Sequence, residues 1–306
     1  MNTEYDVVVV GGGPAGLAAA LCLGRARRSV LVIDSGRPRH AVAEGVHNFL
    51  TREGIPPAEL RAVAWEQMRT YPTVDRLIGT VTSLQQRDER WTIETDQGQT
   101  VSAPAVLLAT GVVDRHPEIP GYAKLWGRSI FHCPYCHGWE VRDQALAVLG
   151  HSPEVAQFAP LLRAWSSDVI VVTNGEPLPP EVDEELRSRS IEVRAEPITE
   201  LAETSASNGD ETNGLLVRFD GAPELARDAL FVMSSPRLPD LVADLDLEID
   251  AGGFVQIDQH GATSRPGLWA AGDLTSRRHQ VVEAMAQGLR SAVAISRQLI
   301  LEPVAR

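Results

Sequence analysis

The stretch Phe131-His132-Cys133-Pro134-Tyr135-Cys136-His137-Gly138-Trp139 places two of the chain's three cysteines two residues apart, with a histidine on each side. A Cys-x-x-Cys pair closes a small disulfide and reopens it: one thiolate attacks and the other resolves. The flanking imidazoles of His132 and His137 could move the protons that this exchange needs. Four such side chains also bring zinc to mind. Packed into one short loop they would struggle to make a tetrahedral site, and no second Cys or His cluster exists to complete one. No metal is expected. The third cysteine, Cys22, lies in an apolar helical run and reads as a small buried hydrophobe.

A redox pair needs something to exchange electrons with, and the N-terminal elements supply a candidate. Tyr5 to Val10 is a β-branched run typical of a strand buried on both faces. Gly11-Gly12-Gly13-Pro14-Ala15-Gly16 follows, then a helical run from Leu17 to Gly24, then a second strand from Ser29 to Ile33 that ends at Asp34. This is a dinucleotide-binding fingerprint in its strand–turn–helix context. Gly11 makes the tight turn, Gly13 lets the backbone approach a pyrophosphate, and Gly16 permits close helix–strand packing. The helix N-terminus at Pro14 and Ala15 faces the phosphates, and Asp34 accepts hydrogen bonds from a ribose.

The 306 residues suffice for two domains, and 43% hydrophobic with 23% charged residues is ordinary for a globular protein. A net charge of −13 argues against nucleic acid, whose phosphates need a basic face. Three cysteines are too few for a secreted disulfide scaffold. The apolar N-terminus has Glu4 and Asp6 where a signal peptide carries positive charge. No apolar run approaches the ~18 residues of a membrane span. A cytoplasmic protein with no membrane association is expected.

Two later segments say which dinucleotide. Val106-Leu-Leu-Ala-Thr110-Gly111 is an apolar strand ending in Thr-Gly, and Gly267-Leu-Trp-Ala-Ala-Gly272-Asp273 is another ending in Gly-Asp, followed by a helical stretch from Gln280 to Leu299. Both resemble the second and third FAD-contact segments of two-dinucleotide flavoprotein reductases. The resemblance implies FAD, with Asp273 on the ribityl chain and Gln280 and Val281 near the flavin ring. With the mid-chain Cys-x-x-Cys, the order of parts resembles the low-molecular-weight thioredoxin reductases over almost the full chain. That family implies an α/β fold of two Rossmann-like, three-layer ββα domains, the second inserted into the first. The FAD domain is placed at 1–115 and 238–306, and the insert, which carries the Cys-x-x-Cys, at 116–237. Breaker-rich joints mark both boundaries, at His116-Pro117-Glu118-Ile119-Pro120-Gly121 and Ser234-Ser235-Pro236-Arg237-Leu238-Pro239. The resemblance also implies a homodimer, Asn48 near the flavin, Cys136 as the flavin-proximal cysteine and Cys133 as the interchange thiol. His137 stands where typical members carry an acid and is the preferred general base; His132 is either structural or substrate-facing. A glutaredoxin-type reading of Cys-Pro-Tyr-Cys fails because that motif belongs early in a short chain.

The second nucleotide site departs from the family pattern. After a strand at Ala145 to Leu149, the turn Gly150-His151-Ser152-Pro153-Glu154 keeps only its first glycine. Ser152 stands where backbone must approach a pyrophosphate, and Glu154 puts negative charge where phosphate wants positive potential. Pro160 interrupts the following helix or starts a new one. After the strand Val169 to Val172, Thr173-Asn174-Gly175 replaces the family's arginine cluster for a 2′-phosphate. NADPH binding is therefore doubtful. The polar stretch Ser205 to Gly214 reads as a turn between strands. Cys-Pro-Tyr-Cys-His-Gly-Trp-Glu over 133–140 resembles the dithiol oxidases of the gliotoxin and holomycin type. That branch implies a small-molecule dithiol as electron donor, or a protein dithiol, with O2 as acceptor. Without NADPH the domain rotation of the family's reductases has no purpose, so one resting orientation with Cys136 against the flavin is expected. The alternatives are an NADPH-dependent reductase, a ferredoxin-linked reductase and a non-catalytic flavin sensor.

Overall fold

The computed structural model describes residues 2–204, 214–233 and 235–302. In chain order the first elements are β1 (Val7–Val10), α1 (Pro14–Arg25), β2 (Val30–Asp34), α2 (Pro57–Met68), β3 (Val74–Ile78), β4 (Val81–Arg87), β5 (Arg90–Thr95), β6 (Thr100–Ala103) and β7 (Ala105–Leu108). The inserted region holds α3 (Tyr122–Leu125), β8 (Ile130–Phe131), α4 (Pro134–His137), β9 (Leu146–Leu149), α5 (Val155–Leu162), β10 (Val169–Val172), α6 (Pro180–Ser188), β11 (Glu192–Arg194), β12 (Ile198–Thr204), β13 (Gly214–Phe219), β14 (Leu225–Arg227) and β15 (Ala229–Val232). The chain then returns through α7 (Asp240–Ala243), β16 (Leu268–Ala270) and α8 (Val281–Leu301).

Each half repeats one architecture. In the first, a parallel sheet of order β16-β7-β1-β2-β3 is layered between an antiparallel meander, β4-β5-β6, and helices. Because both faces are covered, β1 reads Val-Val-Val-Val and is buried at every position. Val8, Val10 and Leu31 pack toward the meander residues Trp91, Ile93 and Val101, while Val7, Val9 and Val30 pack toward Leu17, Ala20, Leu23 and Ile295 of the helices. The insert has its own parallel sheet, β11-β10-β9-β15-β8, its own meander, β12-β13-β14, and helices α5 and α6 on the opposite face. This is the expected α/β, ββα-layered pair of Rossmann-like domains.

The chain separates into a first unit of Met1–Ala41, Asn48–Val113 and Pro236–Arg306 and a second of Val42–His47 and Asp114–Ser235. These limits differ from 1–115, 116–237 and 238–306. Val113 and Arg237 exchange two backbone hydrogen bonds of 2.9 Å, which ties Arg237 to the first unit. Residues 42–47 group with the insert, where the Val42 side chain lies against Gly127. Pro160 neither ends α5 nor starts a helix. It sits inside α5, which closes two residues later at Leu162. Cys22 is half-buried on α1, and burial pushes its thiol pKa up. The stretch 205–213 lies outside the described residues. Among the described residues, no helix is long and apolar enough to cross a membrane.

Candidate functional site

In the first unit, the strand order reverses direction between β1 and β7, and the chain segments leaving their C-terminal ends meet. Gly11 has φ +110°, and a Cβ there would lie 2.3 Å from the Ala109 carbonyl oxygen. A Cβ on Gly16 would lie 1.9 Å from the Gly11 oxygen, so α1 can start this close to β1 only with glycine there. Around Gly13 and Gly111 a Cβ would meet nothing within 4 Å. Pro14 opens α1 and Ala15 is buried in its first turn. Thr110 is half-buried, with its hydroxyl 3.4 Å from the Gly111 oxygen. Glycines are thus demanded where protein presses in, and absence of crowding is found where a ligand backbone would lie.

Two carboxylates flank this turn. Asp34 at the end of β2 is buried and ion-paired with Arg61 of α2. Asp273, in a 3-10 turn after β16, accepts from Arg39 Nη1 at 3.1 Å, and the same nitrogen lies 2.8 Å from His279 Nδ1. Beside them His40 is lowered in pKa by burial, and its Nε2 is buried without a hydrogen-bond partner. The Gly272–Asp273 turn is held by Gln287 of α8. Its Oε1 accepts from the Gly272 N–H and the Thr275 hydroxyl, both at 2.8 Å. Gln280 caps α8 and Val281 begins it. Asn48 is exposed, with φ 59°. The open faces over Gly13 and Gly111 and the unpartnered His40 nitrogen suit a bound dinucleotide such as FAD.

In the second unit, Cys133 and Cys136 form a disulfide with Cα atoms 5.3 Å apart. The motif follows β8 directly, and Pro134 opens the single turn α4, its preset φ and missing N–H being no loss at that position. Cys136 and His137 donate backbone hydrogen bonds to the Cys133 carbonyl at 3.1 and 3.2 Å. Gly138 closes the turn over an indole: a Cβ there would lie 2.9 Å from the Trp165 ring. Tyr135 sets its ring edge-on to Trp165 and is 62% exposed, and Trp139 is 66% exposed, so an aromatic rim borders the disulfide. His137 stacks on Phe131 at 4.4 Å with both ring nitrogens buried and unpartnered. Burial, with a smaller contribution from His47, pushes its pKa down to about 4, so it is neutral near pH 7. His47 in turn lies 3.6 Å from Glu140. His132 stacks on Trp126 at 5.8 Å.

At the corresponding turn of the second unit, after β9, the Met233 Sδ lies 3.8 Å from the Ser152 hydroxyl and 3.7 Å from a Cβ position on Gly150. Helix α5 starts only at Val155, with Glu154 at its cap. After β10, Thr173 is buried and Asn174 accepts the Ile198 N–H at 2.8 Å. Nearby Arg194 is paired with Glu196 at 3.1 Å and lies over the Phe219 ring.

Sequence reasoning missed Arg39, Arg61, His40, Gln287, His47 and Met233. Only Gln287 left a signal, as a large polar side chain among the small and apolar residues Ala284, Gly288, Ala292 and Ile295 on the buried stripe of α8.

The family model described as pyridine nucleotide-disulphide oxidoreductase matches residues 5–288. The thioredoxin reductase tcpT of Claviceps purpurea (strain 20.1) is 32% identical over 97% of this chain and 95% of its own length. The crystal structure of HlmI superposes with a TM-score of 0.90 at 36% identity, covering 99% of this chain and 94% of that one. The putative thioredoxin reductase TrxB of Bacillus anthracis gives 0.90 at 31% identity over 98% of this chain and 100% of that one. With the fingerprint turn in one unit and the closed cysteine pair in the other, the chain belongs to the pyridine nucleotide-disulphide oxidoreductase family, as a thioredoxin reductase-like flavin disulfide oxidoreductase.

Proposed function

We propose that this enzyme oxidises a dithiol, preferably a small molecule, to its disulfide, passing electrons into FAD and on to O2. The observation that carries the reading is the second unit's nucleotide turn. Ser152, packed against Met233, and Glu154 at the cap of α5 stand where a pyrophosphate wants bare backbone and positive potential, and Asn174 is spent on the backbone, which supports an electron donor other than NADPH. Gly11, Gly13, Pro14, Ala15, Gly16, Asp34, Asn48, Thr110, Gly111, Gly272, Asp273, Gln280 and Val281 are the residues assigned to hold FAD. When bound, FAD would supply the two-electron acceptor that returns the cysteine pair to its disulfide and is itself reoxidised by O2.

The protein's own part is thiol–disulfide exchange. A substrate thiolate attacks the sulfur of Cys133, forming a mixed disulfide and releasing Cys136 as thiolate. The second substrate thiol then attacks the first substrate sulfur, closing the product disulfide and releasing Cys133. Two protons leave the substrate and two electrons remain on the cysteines. His137 is the assigned acid–base group. It is neutral while the disulfide is closed, and a thiolate forming one residue away raises its proton affinity as the exchange proceeds. His132 lies on the other flank, against Trp126. Resemblance to the thioredoxin reductases further supports a homodimer, and the acidic N-terminal residues Glu4 and Asp6 with the few cysteines support a cytoplasmic location.

Aerobic incubation with dithiothreitol, without any nicotinamide, should consume O2 and accumulate H2O2 in step with oxidised dithiothreitol. No O2 uptake with several dithiols would remove the oxidase reading. A second reading, an NADPH-dependent disulfide reductase, is favoured by the name that the relatives carry. It requires NADPH-driven reduction of a disulfide substrate.

A further inference from the structure

The dinucleotide turn of the first unit supplies backbone donors but no cationic side chain, since residues 11–16 read Gly-Gly-Gly-Pro-Ala-Gly. Two carboxylates, Asp34 and Asp273, border the same site, and a pyrophosphate would add two more negative charges. Four like charges in a partly buried cleft of a chain with net charge −13 require compensation. The compensating groups come from places no fingerprint marks. Arg61 is committed to Asp34, with its other Nη 3.4 Å from the Gly36 oxygen. Arg39 reaches Asp273 across 234 residues of sequence, at 3.1 Å, and its side chain is only 17% exposed. His40, next in the same 3-10 turn Arg39–Val42, feels both Asp273 and Arg61 and keeps a buried Nε2 with no protein partner. A buried unpartnered nitrogen costs free energy unless a ligand satisfies it.

We propose that the Arg39–His40 turn is the phosphate-recognition element of the dinucleotide site. Arg39 neutralises Asp273 together with the ligand's pyrophosphate, and His40 Nε2–H donates to a phosphate oxygen. The proposal rests on the FAD reading above.

The test is the affinity of deflavinated protein for FAD, read from quenching of flavin fluorescence at low and high KCl. Arg39→Gln should weaken FAD binding about 10- to 100-fold at low salt, the scale of a lost charge-assisted hydrogen bond. It should also flatten the salt dependence seen in the unaltered protein. Arg39→Lys should restore that salt dependence. His40→Leu should weaken binding about 5- to 50-fold, within the range for one buried hydrogen bond, and His40→Gln, which keeps an N–H, should recover part of it. Equal affinity in Arg39→Gln and the unaltered protein would overturn the proposal. So would a salt-insensitive loss that Asp273→Asn reproduces in full, because Arg39 would then only orient Asp273. Failure of the unaltered protein to bind FAD at all would instead overturn the cofactor reading, and this inference with it.

Discussion

His137 carries an unusual burden. Its imidazole is enclosed, stacked on Phe131, and unpartnered at both nitrogens, immediately after a redox-active cysteine. Burial lowers its folded pKa to about 4 from 6.5, so the unfolded chain binds a proton in that window that the folded chain refuses. Stability should therefore fall as pH drops from 6.5 to 4, by up to about 3 kcal/mol from this residue, and stay flat below. His40, also lowered by burial, adds a slope of the same sign. Urea midpoints of the oxidised protein at pH 7 and pH 4.5 should converge in His137→Gln relative to the parent; an undiminished slope would refute the neutral, enclosed state. At the neighbouring sulfur, Cys136→Ser should abolish dithiol turnover and keep FAD bound. Loss of FAD in that variant would mean that the cysteine has been given the wrong place in the scheme. The chemistry-bearing residues were legible because Cys-x-x-Cys, its histidines and the glycine turn are local in sequence. Arg39 was not, because its partner Asp273 is 234 residues away and nothing near either one announces the pair.

Helices α1 and α8 meet with almost no side chain between them. A Cβ on Gly288 would lie 2.0 Å from the Ala15 carbonyl oxygen, and one on Gly16 would lie 1.9 Å from that of Gly11. Gly13 makes a contrast within the same turn, with open space around it and an ordinary extended φ of −79°. Gly16→Ala and Gly288→Ala should each cost on the order of 2 kcal/mol or more, since backbone must move to admit a methyl group. Gly13→Ala should leave the melting temperature of the flavin-free protein nearly unchanged while weakening FAD binding. Thermal melts with and without FAD separate the two classes, and a destabilised flavin-free Gly13→Ala would contradict the division of roles. The strands and helices around these glycines were readable from their runs and periodicity. Where reading failed, tertiary packing decided. Val42 to His47 falls within the limits 1–115 expected for the first domain, yet it packs with the insert. Pro160 looked like a helix breaker, yet α5 absorbs it near its end, where a single lost N–H bond is cheap.

The molecule repeats one layered plan, but only the first unit keeps the full set of glycines in its nucleotide turn. The second has Ser152 against Met233 at the corresponding turn and Asn174 tied to Ile198, and it carries the disulfide. The substitutions at Ser152 and Asn174 were visible in sequence. Met233 was not, because it arrives from β15 through the sheet order and not through chain proximity. The proposed function is directional: electrons would enter from a dithiol and not from NADPH. Anaerobic stopped-flow mixing of the FAD-loaded enzyme, followed by the visible flavin absorbance, tests it most directly. Dithiothreitol should bleach the flavin, and excess NADPH should leave the oxidised spectrum unchanged. Rapid bleaching at micromolar NADPH would contradict it and make the protein a reductase.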